Sequence, residues 1–129
     1  MFDKDILLSI VQYMSSRGWY VRHTTWEYGS KRHGIVCIDA DMTVLLFVIV
    51  SNHKEGIKHY TEDIISAASK YIEDYHLEHL PIRFDRLIIN DYDNEYSVIH
   101  EENVLPSTDS YTFYEQYRDR QRLFAKINK

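Results

Sequence analysis

Two aspartates one residue apart, Asp39 and Asp41, stand in a short polar stretch between two apolar runs, and His53, Lys54, Glu55 and Lys58 come after the second run. Carboxylates at this spacing are the hard oxygen ligands that Mg²⁺ or Mn²⁺ prefers, and a lysine beside them can orient a water or steady charge on a phosphate. The pattern allows a metal-dependent hydrolytic site on Asp39, Asp41, Glu55 and Lys54, and Mg²⁺ or Mn²⁺ is expected only if that site exists; no other cofactor is expected. A plainer reading competes with it, because Asp-x-Asp in a turn is ordinary turn chemistry more often than a metal site.

Other chemistry-bearing residues are scattered. Lys31, Arg32 and Lys54 are the basic residues best placed to touch a phosphate backbone. Among the seven histidines only His76 and His79 lie at i, i+3, and with a single cysteine they read as solvated helix-end residues rather than zinc ligands. Near the C-terminus Tyr111, Phe113, Tyr114, Tyr117 and Phe124 alternate with Arg118, Arg120 and Arg122. Such a segment either stacks on bases and contacts phosphate, or packs on the sheet or on a second copy; Asp109, Glu115 and Asp119 dilute its charge and favour packing. There is no Gly-rich phosphate loop and no nucleophile elbow.

The elements that must position these residues are legible in local pattern. Asp3 can cap a helix in which Leu7, Ile10, Val11 and Met14 share a face, with Gly18 as its left-handed terminator. Trp19–Trp26 reads as a strand ending at Tyr28-Gly29-Ser30, and Ile35–Ile38 and Val44–Val50 as two more joined by the turn at Asp39–Met42. Val44–Val50 is apolar almost throughout, which suits a central strand covered on both faces. Ile64, Ala67, Ala68, Tyr71 and Ile72 mark a second helix that stops before Pro81. Ile82–Ile89, a turn at Asp91–Asn94 and Tyr96–His100 make a hairpin, and after Pro106 a final helix is expected with Thr112 and Glu115 as a capping box. The class is α/β, a mixed sheet flanked by helices in the order α-β-β-β-α-β-β-α. Residues 1–106 form the α/β domain, and 107–129 a helical extension packed on it or on a second copy.

Composition agrees with one folded domain. The chain has 129 residues, 44% hydrophobic and 14% aromatic, too much apolar surface for a disordered segment. Cys37 cannot form an internal disulfide and lies in an apolar run, which together point to a reducing compartment. No stretch approaches the ~20 apolar residues of a membrane helix, and no signal pattern opens the chain, so the expectation is cytoplasmic with no membrane partner. The net charge of −5 argues against a strong non-specific grip on nucleic acid; the first 58 residues carry +1 and the rest −6.

Four collinear stretches carry a family likeness. Arg17-Gly18-Trp19-Tyr20-Val21 with Trp26, the strand Val44–Ser51, Ala67–Ile72 with Ile82-Arg83-Phe84-Asp85, and Ile99-His100-Glu101-Glu102 up to Pro106 together resemble the YraN-type endonuclease family. The resemblance spans about residues 3–106. It implies the restriction-endonuclease-like fold, kinship with Holliday-junction resolvases, and a metal site made of two acids, a "GEID" or "DID" motif and an "EVK" motif. The departures from that pattern are specific: the likeness puts Gly34 and Val36 at the two acid positions of the first motif, Ile49 at the glutamate of the second and Ser51 at its lysine. Neutral side chains cannot hold Mg²⁺, and neither neighbouring register restores both acids.

The resemblance and its departures imply a catalytically inactive nuclease-like protein, a binding or regulatory module that retains weak nucleic-acid binding or acts through a protein partner or homodimer formed by the C-terminal helix. Two alternatives stay open: an altered metal-dependent DNA endonuclease with the relocated site on Asp39, Asp41, Lys54 and Glu55, and a pure protein-interaction module.

Overall fold

The computed structural model describes residues 4–29, 32–51, 60–92, 95–105 and 108–109. Its elements are α1 (Lys4–Ser16), β1 (Trp19–Glu27), β2 (His33–Asp39), β3 (Leu45–Ser51), α2 (Thr61–Tyr75), β4 (Pro81–Tyr92), β5 (Glu95–Glu101) and β6 (Thr108–Asp109). The five long strands lie in the order β1-β2-β3-β4-β5, antiparallel at every step except β3–β4, which is parallel. A parallel step needs a crossover, and α2 lies within it.

β3 is the middle strand, and Leu45 to Val50 are all buried, as an apolar run without alternation requires. One face packs Val36, Phe47, Ile49 and Phe84 against Ile64, Ala68, Tyr71 and Ile72 of α2. The other packs Ile35, Cys37, Leu46, Val48 and Leu87 around Ile10 and Met14 of α1. Burying side chains of this size contributes ~1.5–3 kcal/mol each, so the two-sided core dominates the stability.

Helix ends obey local chemistry. Gly18 takes φ +88° after α1, a conformation that a side chain would strain. At the end of α2 it is His76 that goes left-handed, with its N–H and that of Leu77 donating to carbonyls of the last turn.

Two findings were outside the sequence expectation. β1 has register shifts between Val21 and His23 and between His23 and Trp26. Each extra residue reverses the facing of the residues beyond it, so Tyr20, His23 and Trp26, three residues apart, pair with Ile38, Val36 and Gly34 on the α2 side of the sheet. After β5 the chain returns as β6 to pair with Pro81 and Ile82 of β4, which takes the sheet past residue 106. The described order is therefore α-β-β-β-α-β-β plus this short strand, and the final helix expected after it lies outside the described residues. Among the described residues no helix is long and apolar enough to cross a membrane.

Candidate functional site

Gly34, Val36, Ile49 and Ser51, the positions that the resemblance singles out, lie on the α2 face of neighbouring strands. Gly34 pairs with Ile49, Val36 with Phe47, and Ile49 has Arg86 as its neighbour across the parallel step. Val36 is 0% and Ile49 2% exposed, both inside the apolar core, and Ser51 is half-buried at the end of β3. Gly34 is closed to any side chain: a Cβ there would lie 2.3 Å from the Val48 carbonyl oxygen and 2.9 Å from the Trp26 ring. The indole occupies the space an acid would need, and it is aimed there by the bulged register of β1. Beside Ile49, Arg86 is buried and its Nε donates to Glu101 Oε1 at 2.6 Å, so the acid of that row is already paired.

Of the relocated site, Asp39 and Asp41 are among the described residues, and Lys54 and Glu55 are not. Asp39 Oδ1 accepts from the backbone N–H groups of Thr43 at 2.6 Å and Val44 at 2.9 Å, and the Thr43 hydroxyl donates to Oδ2. That Thr43 hydroxyl bond is the main reason the Asp39 carboxyl sits below its ordinary pKa. Asp39 thus closes the β2–β3 turn, and Asp41 is exposed in it. His53, Lys54, Glu55 and Lys58 lie outside the described residues. Among the described residues no group of three or more His, Cys, Asp and Glu could hold a metal.

Of the predicted phosphate contacts, Lys31 and Lys54 lie outside the described residues, and Arg32 stacks over the Tyr60 ring at 3.6 Å and donates to its hydroxyl. His76 and His79 are exposed, as helix-end histidines should be. Tyr111, Phe113, Tyr114, Tyr117, Phe124, Arg118, Arg120 and Arg122 lie outside the described residues. Searched against models of known protein families the chain matches none, and it matches no curated protein.

The densest polar chemistry is on the opposite face of the sheet. Asp85, 0% exposed, accepts from Arg83 Nε at 2.9 Å and Nη2 at 2.7 Å, from the Asn103 N–H at 3.0 Å and from His100 Nε2 at 2.8 Å. The carboxylate only accepts, so His100 carries its proton on Nε2, and Nδ1 meets the Tyr13 hydroxyl at 2.9 Å. Arg83 also lies over the Trp19 ring. Burial alone drives the Asp85 carboxyl upward, but the donors from Arg83, Asn103 and His100 outweigh it and hold the pKa below its ordinary value. With every donor and acceptor matched, this array ties α1, β4 and β5 together.

Sequence reasoning singled out Arg83, Asp85 and His100 as parts of a family likeness and missed that they touch. The signal was there: a carboxylate within an apolar strand cannot stay unpaired, so Asp85 between Phe84 and Leu87 demanded a basic partner. That partner, Arg83, is two residues away; what no local pattern supplies is the rest of the array, since Tyr13 and His100 are 87 residues apart.

Cys37, 0% exposed on the same face, has its thiol pushed up to about 12 by burial and then by the Asp85 charge. It should not react with an aromatic disulfide reagent at pH 8 in the folded protein, and should react fully once denatured. Rapid labelling of the native chain would contradict that burial.

Proposed function

We propose that this chain is a nuclease-like scaffold that has given up metal-dependent cleavage and serves as a binding or regulatory module. The scaffold is read as the restriction-endonuclease type, for which an antiparallel β1-β2-β3 meander followed by a helix and a parallel β4 is the supporting connectivity. The observation that carries the loss of cleavage is the closure at Gly34, where Trp26 and the Val48 carbonyl leave no room for a ligand side chain. Ile49 in the adjacent strand offers no oxygen, and the neighbouring Glu101 is held by Arg86. Metal-assisted phosphodiester hydrolysis needs open carboxylates around the ion, and this row has none to spare.

The test is to incubate pure protein with branched and single-stranded DNA, with and without Mn²⁺, and to measure cleavage and retardation together. Retardation that weakens with salt, without cleavage, is the expected result. Cleavage that disappears in Asp39→Ala or Glu55→Ala would establish the relocated nuclease instead. Neither signal, even at low salt, would leave a pure protein-interaction module as the correct reading.

A further inference from the structure

At the end of the α2 face away from Gly34, β1 and the last turns of α2 build a cluster of aromatic and cationic side chains. His23 is clamped between two tyrosines, with Nδ1 2.7 Å from the Tyr71 hydroxyl and Nε2 3.2 Å from that of Tyr75. The rings of Tyr71 and Tyr75 pack 4.5 Å apart, and the Arg22 guanidinium lies 5.7 Å and 5.3 Å from their centres. Tyr20 pairs with Ile38 and so belongs to the same face. Tyr71, 7% exposed, belongs to the core beneath, while Tyr20 and Tyr75 at its edge are 62% and 44% exposed.

Two features set this surface apart from ordinary helix packing. The first bulge of β1 falls at Arg22 and lets Arg22 and His23, consecutive in sequence, both reach the α2 side, where an unbroken strand would send one of them to each face. Arg22 also has no carboxylate partner among the described residues, whereas Arg83 and Arg86 each hold an acid. A guanidinium with no acid among the described residues, set over aromatic rings and beside the exposed Tyr20 and Tyr75, has the two parts that single-stranded nucleic acid needs: rings for bases and a cation for phosphate.

We propose that Tyr20, Arg22, His23, Tyr71 and Tyr75 form a stacking platform for single-stranded nucleic acid. Tyr75 and Tyr20 offer faces to bases, Arg22 contacts the backbone, and the His23 clamp pre-orders the rings so that little side-chain freedom is lost on binding. The exposed Glu73 and Asp74 on the same helix keep the site weak and sensitive to salt. This deepens the binding-module reading and rests on it, but the surface is separate from the residues Lys31, Arg32 and Lys54 first expected to touch phosphate.

The test is fluorescence anisotropy of the full chain with a labelled oligothymidylate of about a dozen nucleotides at low ionic strength. Tyr75→Ala and Tyr20→Ala should each weaken binding about tenfold, and Arg22→Gln should lower the salt dependence by about one charge. Unchanged thermal unfolding of Tyr20→Ala and Arg22→Gln separates lost contacts from lost fold. Wild-type binding that survives these changes and is abolished by reversing Lys31, Arg32 and Lys54 would overturn the platform while keeping the binding module. No binding of oligonucleotide by the wild type would overturn the platform together with any nucleic-acid role, leaving the cluster as a protein-facing surface.

Discussion

Replacing Asp85 by alanine is expected to destabilise the fold by ~3–5 kcal/mol, because it leaves the half-buried Arg83 and His100 and the Asn103 amide without their buried acceptor. Urea unfolding monitored by circular dichroism measures the loss, and a change under ~1 kcal/mol would show that the array is incidental. Asp85→Asn keeps the shape and loses the charge, so it separates packing from ion pairing. The same geometry sets the pH dependence. The folded-state pKa of Asp85 is depressed below the unfolded value of about 3.9, so its contribution is complete above that value and is lost as pH falls through the depressed one. Wild type should therefore lose stability on acidification more steeply than Asp85→Asn in that acidic window, and parallel curves would contradict this account.

Gly34→Asp, the change that places an acid where the proposed nuclease-like reading would need one, is expected to cost ~3 kcal/mol or more and to yield no activity. Its Cβ alone meets a backbone oxygen at 2.3 Å, which cannot swing aside as a side-chain tip could. The carboxylate would then enter an apolar row between Trp26 and Ile49. Gly34→Ala isolates the steric part. In a double-mutant cycle Trp26→Ala should relieve only some of that cost, since the Val48 carbonyl stays in place. Combining Gly34→Asp with Ile49→Glu and Ser51→Lys and finding Mn²⁺-dependent cleavage of DNA would show instead that the site had merely lost its side chains and kept its space.

Both expectations rest on side chains brought together by strand pairing, which local pattern does not give. The apolar period of α1, the uniform apolar run of β3, the small residues of α2 and the Asp39 turn are local signals, legible because each depends on neighbours within one or two turns of chain. They placed β3 at the centre with a helix on each face, and they supplied the plain reading of Asp39 that its hydrogen bonds bear out. Gly34, Val36 and Ile49 were singled out only by the family resemblance, and only their being neutral is read from residue identity.

Whether those positions were open or filled was a matter of register. Strict alternation along β1 would have sent His23 to the face opposite Tyr20 and Trp26, and only the two extra residues, accommodated by pairing with β2, bring His23 to the α2 side and set the indole beside Gly34. The Asp85 array is likewise assembled from α1, β4, β5 and the chain just beyond, with its carboxylate demanded by burial and its partners chosen by strand order. Local pattern was enough for the elements and the central strand. That Gly34 is closed and Asp85 satisfied emerges only from the assembled sheet, because cross-strand register and bulges are set by pairing energies between distant segments and not by the preferences of either segment alone.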